Sequence, residues 1–241
     1  MGNWLITIAL LFVSAFLTHL IPGSGFFRTL DTMIHEFGHA AVTLALSGKV
    51  MYIELYSNHS GVTYSQVTKP WSLIPIALSG YIGASLFAVF MFHARARGKQ
   101  RLGLQMMTLL ALLSLVLFVR NEYGVIWLVG FILLNLIMLA LVPRWLRDMY
   151  YLLLAFLTLE ESVFGPISLL MYAWQDPTQA GDATNLSLVT PMPAVGWALV
   201  FVLFSLWCAK QAIQSFLSGG QRRRPGGGEY DYAPYESRQS R

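Results

Sequence analysis

Apolar residues are gathered into seven long segments, and short polar stretches separate these segments from one another. The segments span about residues 3–21, 28–47, 71–92, 102–119, 123–142, 149–172 and 193–217. A helix of about 20 apolar residues crosses a hydrocarbon core of about 30 Å, and most of the segments reach that length. The pattern therefore predicts an all-α polytopic membrane protein with about seven transmembrane helices.

Residues 48–70, between the second and third segments, follow a different pattern. Residues 50–56 and 61–65 are rich in β-branched and aromatic side chains, and the polar residues and glycine between them favour a turn. The pattern predicts a small β-hairpin directly after the second segment. The edge of such a hairpin can bind an extended peptide through main-chain hydrogen bonds, and a loop that only covers the end of the bundle is the alternative. The candidate substrate-binding residues are Tyr52, Ile53, Glu54, Gly61, Val62 and Thr63.

The composition excludes an ordinary soluble domain. Of 241 residues, 56% are hydrophobic and 12% are charged, whereas soluble domains average about 25% charged residues. The net charge is +4, but the basic residues are scattered over short loops and form no surface with interleaved aromatic side chains. We therefore expect membrane lipid as a partner and no nucleic acid. The single cysteine, Cys208, lies in an apolar segment and forms no disulfide within the chain.

Basic residues are distributed unevenly between the two sets of loops. One set carries Arg28, Arg95, Arg97, Lys99, Arg101, Arg144, Arg147, Arg222, Arg223 and Arg224, and the other carries Lys49, Lys69 and Arg120. The positive-inside rule places the larger set in the cytoplasm, provided that all seven segments span. We expect an integral protein of a bacterial plasma membrane. We expect it to have a membrane-embedded domain over residues 1–217 and a disordered, basic, cytoplasmic tail over residues 218–241.

The second segment contains the motif His35-Glu36-Phe37-Gly38-His39. Residues four apart share one face of a helix, so the His35 and His39 imidazoles can bind one metal ion together. Glu36 is about 100° around the helix from His35, near enough to act on a water molecule at that ion. Ionisable side chains are costly inside a membrane, so the motif indicates a functional site. It predicts bound Zn²⁺ with Glu36 as the catalytic residue.

A catalytic zinc ion has three protein ligands and one open position, so the motif leaves one ligand to be found. Asp182 is the first candidate, because it lies in the loop before the seventh segment, on the predicted side of the hairpin. Its alternative role is a helix N-cap. Glu160 and Glu161, inside the sixth segment, are rival ligands, and their alternative roles are a hydrogen-bond partner of a histidine or a proton relay. An ion pair with Arg120 is disfavoured, because Arg120 is predicted near one membrane surface and the glutamates midway along their helix. The remaining candidate, Asp176, precedes a proline and is typical of a turn.

Several stretches occur in the order found in a known protein family. They are His35-Glu36-Phe37-Gly38-His39-Ala40, Ser47-Gly48-Lys49-Val50, Ser60-Gly61-Val62-Thr63-Tyr64 and Leu78-Ser79-Gly80-Tyr81-Ile82-Gly83-Ala84-Ser85, with Gly181-Asp182-Ala183 further along. They resemble the M50B-like branch of site-2-type intramembrane metallopeptidases. The resemblance implies Zn²⁺ held by His35 and His39, Glu36 as general base, and hydrolysis of peptide bonds near a membrane. The Asn-Pro-Asp-Gly-like segment of better-known members is absent, so the resemblance implies less for Asp182.

The leading hypothesis is a membrane-embedded zinc metallopeptidase that acts on membrane proteins or on segments close to the membrane. The alternative is a membrane protein that binds metal without catalysis or acts as a scaffold. A transporter is a third hypothesis, suggested by Glu160 and Glu161, but no repeated halves with broken helices support it. Gly80 and Gly83 form a small-residue face on the third segment, which we expect to pack against the helix of the motif.

Overall fold

The computed structural model describes residues 25–67 and 69–221, and this part of the chain contains seven α-helices and one β-hairpin. In chain order these are α1 (Gly25–Ala45), β1 (Lys49–Leu55), β2 (Gly61–Gln66), α2 (Leu73–Ala96), α3 (Gln100–Leu113), α4 (Glu122–Ala140), α5 (Arg144–Gln175), α6 (Gly181–Val189) and α7 (Ala194–Gln221). Short 3-10 turns at Pro70–Ser72 and Pro177–Gln179 precede α2 and α6, and a π-helical turn at Ser114–Phe118 extends α3. The prediction of a helical protein with one hairpin is confirmed.

Five helical stretches of the described residues are long and apolar enough to cross a membrane, as expected of an integral membrane protein. They are Pro70–Ala96, Gln100–Phe118, Glu122–Ala140, Arg144–Gln175 and Ala194–Ser218. The predicted number of about seven transmembrane helices is not confirmed. The first predicted segment, residues 3–21, lies outside the described residues. The second forms α1, but Arg28, Asp31 and Glu36 make that helix too polar to be counted with the other five.

Successive spans run in opposite directions, which gives the bundle two ends. One end carries the hairpin and the connections 119–121 and 176–193, and we call it the hairpin end. The other end carries the connections 97–99 and 141–143, and we call it the basic end. Arg95, Arg97, Lys99, Arg101, Arg144 and Arg147 lie at or near the basic end. For these residues the predicted separation of basic side chains between the two ends is confirmed.

Arg28 is an exception to that separation. The sequence groups Arg28 with the basic end, but the residue lies inside α1, where its Nε donates to Glu161 Oε1 on α5 at 2.8 Å. The neighbouring Thr29 hydroxyl lies 3.2 Å from the hydroxyl of Tyr123, which is in the first turn of α4 at the hairpin end. The prediction for Arg28 is wrong because the positive-inside rule applies to loop residues, whereas this charge is matched by a carboxylate within the protein.

Small residues allow α1 to pack closely against α2. A Cβ atom on Gly38 would lie 2.7 Å from the Ser79 carbonyl oxygen, so the observed approach of the two backbones requires glycine. A Cβ atom on Gly83 would lie 3.9 Å from Gly38 Cα, which is an ordinary contact. The prediction that Gly80 and Gly83 face the helix of the motif is confirmed, and the motif therefore lies at the contact between α1 and α2.

The predicted hairpin forms directly after α1 and is attached to the connection between α3 and α4. Its two strands are antiparallel. Ile53 and Leu55 of β1 are 1% and 0% exposed, so their side chains belong to the core. Their main-chain groups are also hydrogen-bonded. The Arg120 N–H donates to the Ile53 carbonyl at 3.2 Å, and the Asn121 side-chain amide accepts from the Leu55 N–H and donates to the Leu55 carbonyl. The core and residues 119–121 thus fix the position of the hairpin.

The last described helix is longer than the sequence predicts. α7 continues to Gln221, past residue 218, where the sequence predicts the start of a disordered tail. Residues 222–241, with Arg222, Arg223 and Arg224, lie outside the described residues. The division into a domain over 1–217 and a tail over 218–241 otherwise stays a prediction.

Candidate metal centre

Three potential metal ligands converge between α1 and α6. His35 and His39 project from one face of α1, with their Nε2 atoms 3.0 Å apart. Asp182, the second residue of α6, places Oδ2 3.1 Å from His35 Nε2 and 3.2 Å from His39 Nε2. The described residues contain no other group of three side chains suited to a metal ion. The fold thus brings together the three side chains that the sequence predicts as ligands.

The three ligand atoms form a nearly equilateral triangle of the size that a tetrahedral metal ion requires. Two tetrahedral ligands at the usual Zn²⁺ distance of about 2.0–2.1 Å lie about 3.3 Å from each other. The edges of the triangle measure 3.0, 3.1 and 3.2 Å. Three ligands in this arrangement leave the fourth tetrahedral position open, as in catalytic zinc sites.

With both imidazoles neutral, hydrogen bonds alone do not satisfy this triangle. His39 Nδ1 lies 2.7 Å from the Ile76 carbonyl oxygen and donates to it, because a carbonyl oxygen only accepts. In the neutral ring, His39 Nε2 then keeps an unshared lone pair. A proton on His35 Nε2 points at only one of its two neighbours, so at least one contact between lone pairs remains. A cation among the three atoms removes that repulsion.

Asp182 is held in the form that binds metal. Burial by itself raises the pKa of this carboxyl group, but its electrostatic contacts and hydrogen bonds with His39 and His35 lower it more, so the pKa lies well below its usual range. The N-cap position of α6 is Ala180, and no side chain caps the helix. The alternative role of Asp182 as an N-cap is therefore not observed. Gly181, just before it, has φ of 42°, a left-handed conformation that favours glycine.

Helix α2 packs against the two imidazoles of the triangle. A Cβ atom on Gly80 would lie 2.5 Å from His35 Nε2 and 2.7 Å from His39 Cε1, so a side chain there would displace the imidazoles. The Tyr81 ring meets the His35 ring edge-on, with centroids 4.5 Å apart. The sequence indicates Gly80 as a packing residue but does not reveal its contact with the ligands. The sequence also does not indicate that Ile76 binds His39, because the group involved is a main-chain carbonyl, which every residue has.

Glu36 is buried between α1 and the hairpin, with 5% of its surface exposed. The Thr63 hydroxyl lies within hydrogen-bond distance of two acceptors, at 2.7 Å from Glu36 Oε2 and 3.1 Å from the Glu36 carbonyl oxygen. Gly61 lies against the same side chain, since a Cβ atom there would be 2.7 Å from Glu36 Cγ. The sequence predicts Gly61 and Thr63 as substrate-binding residues, and their contact with Glu36 was not foreseen.

The rival carboxylates and their predicted partner have other contacts. Glu161 pairs with Arg28, and Glu160, although buried on α5, does not belong to the metal-binding group. Asp176 accepts hydrogen bonds from the N–H and the hydroxyl of the residue two positions further on, in the turn role that the sequence indicates. The Arg120 guanidinium, which the sequence leaves as an unfavourably placed partner for these glutamates, donates to the carbonyl oxygens of Val119 and Leu117.

The six candidate substrate-binding residues occupy both strands of the hairpin. Tyr52, Ile53 and Glu54 lie on β1, and Gly61, Val62 and Thr63 lie on β2. The outward edge of β1 is closed at Ile53 by the main chain of Arg120. Along β2, by contrast, no hydrogen bond from the described residues reaches the main-chain groups that point away from β1. The edge of β2 is therefore the open one in this part of the structure.

A family model described as Peptidase M50B-like matches residues 4–212. The matched range includes α1, the hairpin and Asp182, and it covers most of the chain. The chain belongs to the peptidase M50B-like family. No curated protein and no solved structure matches the chain. Membership of the M50B-like family makes the protein a membrane peptidase by class. A group of three converging ligands agrees with the metal dependence of M50 peptidases.

Proposed function

We propose that this M50B-like protein is a zinc metalloendopeptidase, and that it hydrolyses peptide bonds in membrane proteins or in segments close to the membrane. The observation that carries the proposal is the triangle of His35, His39 and Asp182, with Glu36 buried one residue after His35 on the same helix. Three ligands with one open position, together with a neighbouring general base, are the parts that a zinc hydrolase needs.

The chemistry of the donor atoms supports zinc over the common hard cations. Two imidazole nitrogens and one carboxylate oxygen suit Zn²⁺, whereas Ca²⁺ and Mg²⁺ prefer oxygen ligands throughout. His39 is oriented by the Ile76 carbonyl, which fixes the protonated ring nitrogen away from the triangle. We assign His35, His39 and Asp182 as the residues that hold the ion.

Glu36 is assigned as the general base. His35, His39 and Asp182 would hold a zinc ion, which would supply a bound water with a pKa of about 7 and a Lewis acid for the carbonyl group. Glu36 accepts a proton from the attacking water and passes it to the nitrogen of the leaving amine. The burial of Glu36 limits the access of bulk water to this proton transfer, and its carboxylate accepts a hydrogen bond from the Thr63 hydroxyl.

We propose that the substrate binds as an extended strand along the edge of β2. Ile53 and Leu55 direct their main-chain groups toward residues 119–121 and hence away from β2. In an antiparallel ladder, two residues directly opposite each other either both direct their main-chain N–H and C=O groups toward each other or both direct them outward. The residues opposite these two, Thr63 and Gly61, therefore direct their own main-chain groups away from β1.

The contacts of β2 with Glu36 support this position for the peptide. Ser65, two residues beyond Thr63, also points its main-chain groups outward because strands alternate with a period of two. Gly61 and Thr63 both contact Glu36. A strand added there would be held extended, which exposes a scissile carbonyl that a helix would keep hydrogen-bonded. Of the six candidate residues, the proposal therefore gives the main role to Gly61 and Thr63.

We also propose that the basic end faces the cytoplasm, as the positive-inside rule favours. Arg97, Lys99, Arg101, Arg144 and Arg147 support this orientation. The hairpin, Asp182 and the open edge of β2 would then lie toward the opposite side of the membrane.

The proposal is tested with purified protein, by measuring zinc per chain and cleavage of a membrane-tethered peptide. The Glu36→Gln variant should keep its zinc and lose cleavage by about 10²-fold or more, since a general base contributes about 10²–10⁴-fold. The His35→Ala variant should lose both zinc and cleavage. His93→Ala is the matched control, because His93 lies on α2 at the basic end and bonds the Val89 carbonyl.

Two outcomes would contradict parts of the proposal. Unchanged zinc content in His35→Ala would exclude the metal centre. Bound zinc in the unmodified chain without any chelator-sensitive cleavage would instead favour the alternative, a membrane protein that binds metal without catalysis.

A further inference from the structure

Thr63 is the residue of the hairpin that makes direct hydrogen bonds to the proposed general base. Its hydroxyl lies 2.7 Å from Glu36 Oε2 and 3.1 Å from the Glu36 carbonyl oxygen. A hydroxyl has one proton to donate, and the carboxylate is the stronger acceptor because it carries a charge. The shorter distance agrees with donation to Oε2. One oxygen of the Glu36 carboxylate is thus occupied by the hairpin.

The second carboxylate oxygen of Glu36 is in a different situation. No hydrogen bond from the described residues reaches Oε1. A Cβ atom on Gly61 would lie 2.9 Å from Oε1 and 2.7 Å from Cγ, so the backbone of β2 also limits where the carboxylate can turn. Thr63 and Gly61 together leave Oε1 as the oxygen able to accept a proton.

The position of Thr63 depends on the docking of β1. Thr63 is directly opposite Ile53 in the hairpin. Ile53 is buried in the core, and its carbonyl accepts the N–H of Arg120. Asn121 bonds both main-chain groups of Leu55, two residues further along the same strand. The hydroxyl of Thr63 is therefore held over Glu36 by a hairpin whose other strand is fixed to the bundle.

We propose that Thr63 is a positioning residue for catalysis: its hydroxyl holds Oε2 of Glu36 so that Oε1 faces the reacting water. This inference rests on the proposed function, because it assigns Glu36 the role of general base. It also links the two tasks of β2. The strand whose edge would bind the substrate is the strand that sets the orientation of the base, so the peptide and the base share one rigid support.

The first test compares Thr63→Val with Thr63→Ser in the full-length, zinc-loaded protein. Valine keeps the shape of threonine and lacks the hydroxyl, whereas serine keeps the hydroxyl. We expect Thr63→Val to lower kcat by about 10- to 100-fold, the range seen when partners that orient catalytic metal sites are removed. KM should change by less than about threefold, and Thr63→Ser should recover kcat to within about threefold of the unmodified protein. Tyr64→Phe is the control, because it removes a hydroxyl from the opposite face of the same strand.

The second test does not depend on catalysis. Melting temperatures are measured for Thr63→Val, Glu36→Ala and the double variant. Residues in direct contact have non-additive effects, so the shift of the double variant should differ from the sum of the single shifts by about 2 °C or more. Zinc per chain is measured in the same samples and should be unchanged by Thr63→Val.

The two tests separate the possible failures. Additive shifts in melting temperature would overturn the inference whatever the activity, because Thr63 would not act on Glu36. Coupled shifts with an unchanged kcat in Thr63→Val would show a purely structural contact and would also overturn it. Equal losses in the valine and serine variants would indicate packing rather than the hydroxyl. If the unmodified protein shows no cleavage that depends on Glu36, the proposed function fails and the catalytic role of Thr63 fails with it.

Discussion

Asp182 Oδ2 lies 3.1 Å from His35 Nε2, although the two residues belong to the last and the first thirds of the chain. This contact brings a candidate third ligand to the two histidines of the motif on α1. We predict that Asp182→Ala lowers zinc affinity by more than about 100-fold, because the loss of a ligand should exceed the 10- to 100-fold cost of losing a residue that only supports one. The measurement is a zinc competition titration with a chelator of known affinity.

Asp176→Ala is the matched control for this prediction. Asp176 lies on the same connection between α5 and α7, is exposed, and accepts hydrogen bonds within its own turn. Its removal should leave zinc affinity unchanged. A loss of zinc in Asp176→Ala equal to that in Asp182→Ala would mean that the connection as a whole, rather than one carboxylate, is responsible.

Gly80 and Gly83 provide a second prediction, because they lie on the same face of α2 and differ in what surrounds them. A Cβ atom on Gly80 would be 2.5 Å from His35 Nε2, whereas one on Gly83 would be 3.9 Å from Gly38 Cα. Gly80→Ala should therefore displace the imidazoles and lower both zinc affinity and cleavage by about tenfold or more. Gly83→Ala should leave both within about threefold. Equal effects of the two substitutions would argue against the observed packing of α1 on α2.

The elements around the metal centre were largely predictable from the sequence. Residues four apart on a helix must share a face, so the pairing of His35 and His39 follows from the motif alone. The hairpin also follows from local chemistry, since two β-prone runs flank a turn that includes His59 in a left-handed conformation. Both features depend on residues that are close together in the sequence.

The features that were not predictable depend on contacts between distant elements. Four carboxylates were candidates for the third ligand, and only the observed approach of Asp182 to His35 and His39 distinguishes it from the others. The position of Arg28 could not be predicted either, because its partner Glu161 is 133 residues away. Local patterns indicate that a charge must be matched, but they do not identify the residue that matches it.

The ion pair of Arg28 with Glu161 leads to a third prediction. Glu161→Gln leaves the Arg28 guanidinium without its charged partner, and Arg28 is 31% exposed, so water compensates in part. We expect a loss of about 1–3 kcal/mol in the free energy of unfolding, measured by denaturant or thermal unfolding in detergent. Zinc per folded chain should not change. A loss of zinc without a loss of stability would contradict this role of Glu161 and indicate that it acts on the metal centre.

Glu122→Gln is the control for the ion-pair prediction. Glu122 is an exposed carboxylate in the first turn of α4. Its neutralisation should change the free energy of unfolding by less than about 1 kcal/mol, the usual limit for a favourable contact with a helix N-terminus. The comparison therefore separates the effect of losing a partly buried ion pair from that of removing one negative charge.

The open edge of β2 gives a prediction that changes the substrate instead of the protein. A strand that binds this edge uses the N–H and C=O groups of alternate residues, because the groups of the residues between them point the other way. N-methylation of every second peptide nitrogen in one frame should therefore raise KM by about tenfold or more, and methylation in the other frame should have a much smaller effect. The measurement is the cleavage rate of two otherwise identical membrane-tethered peptides over a range of concentrations.

Equal effects in both frames would contradict strand addition. The two peptides differ only in which alternate nitrogens are methylated, and only a peptide bound as a strand along β2 would be affected by one set and not by the other. Gly61 and Thr63 direct their main-chain groups to this edge and also contact Glu36. The sensitive frame should therefore be the one whose N–H groups would bond to Gly61 and Thr63.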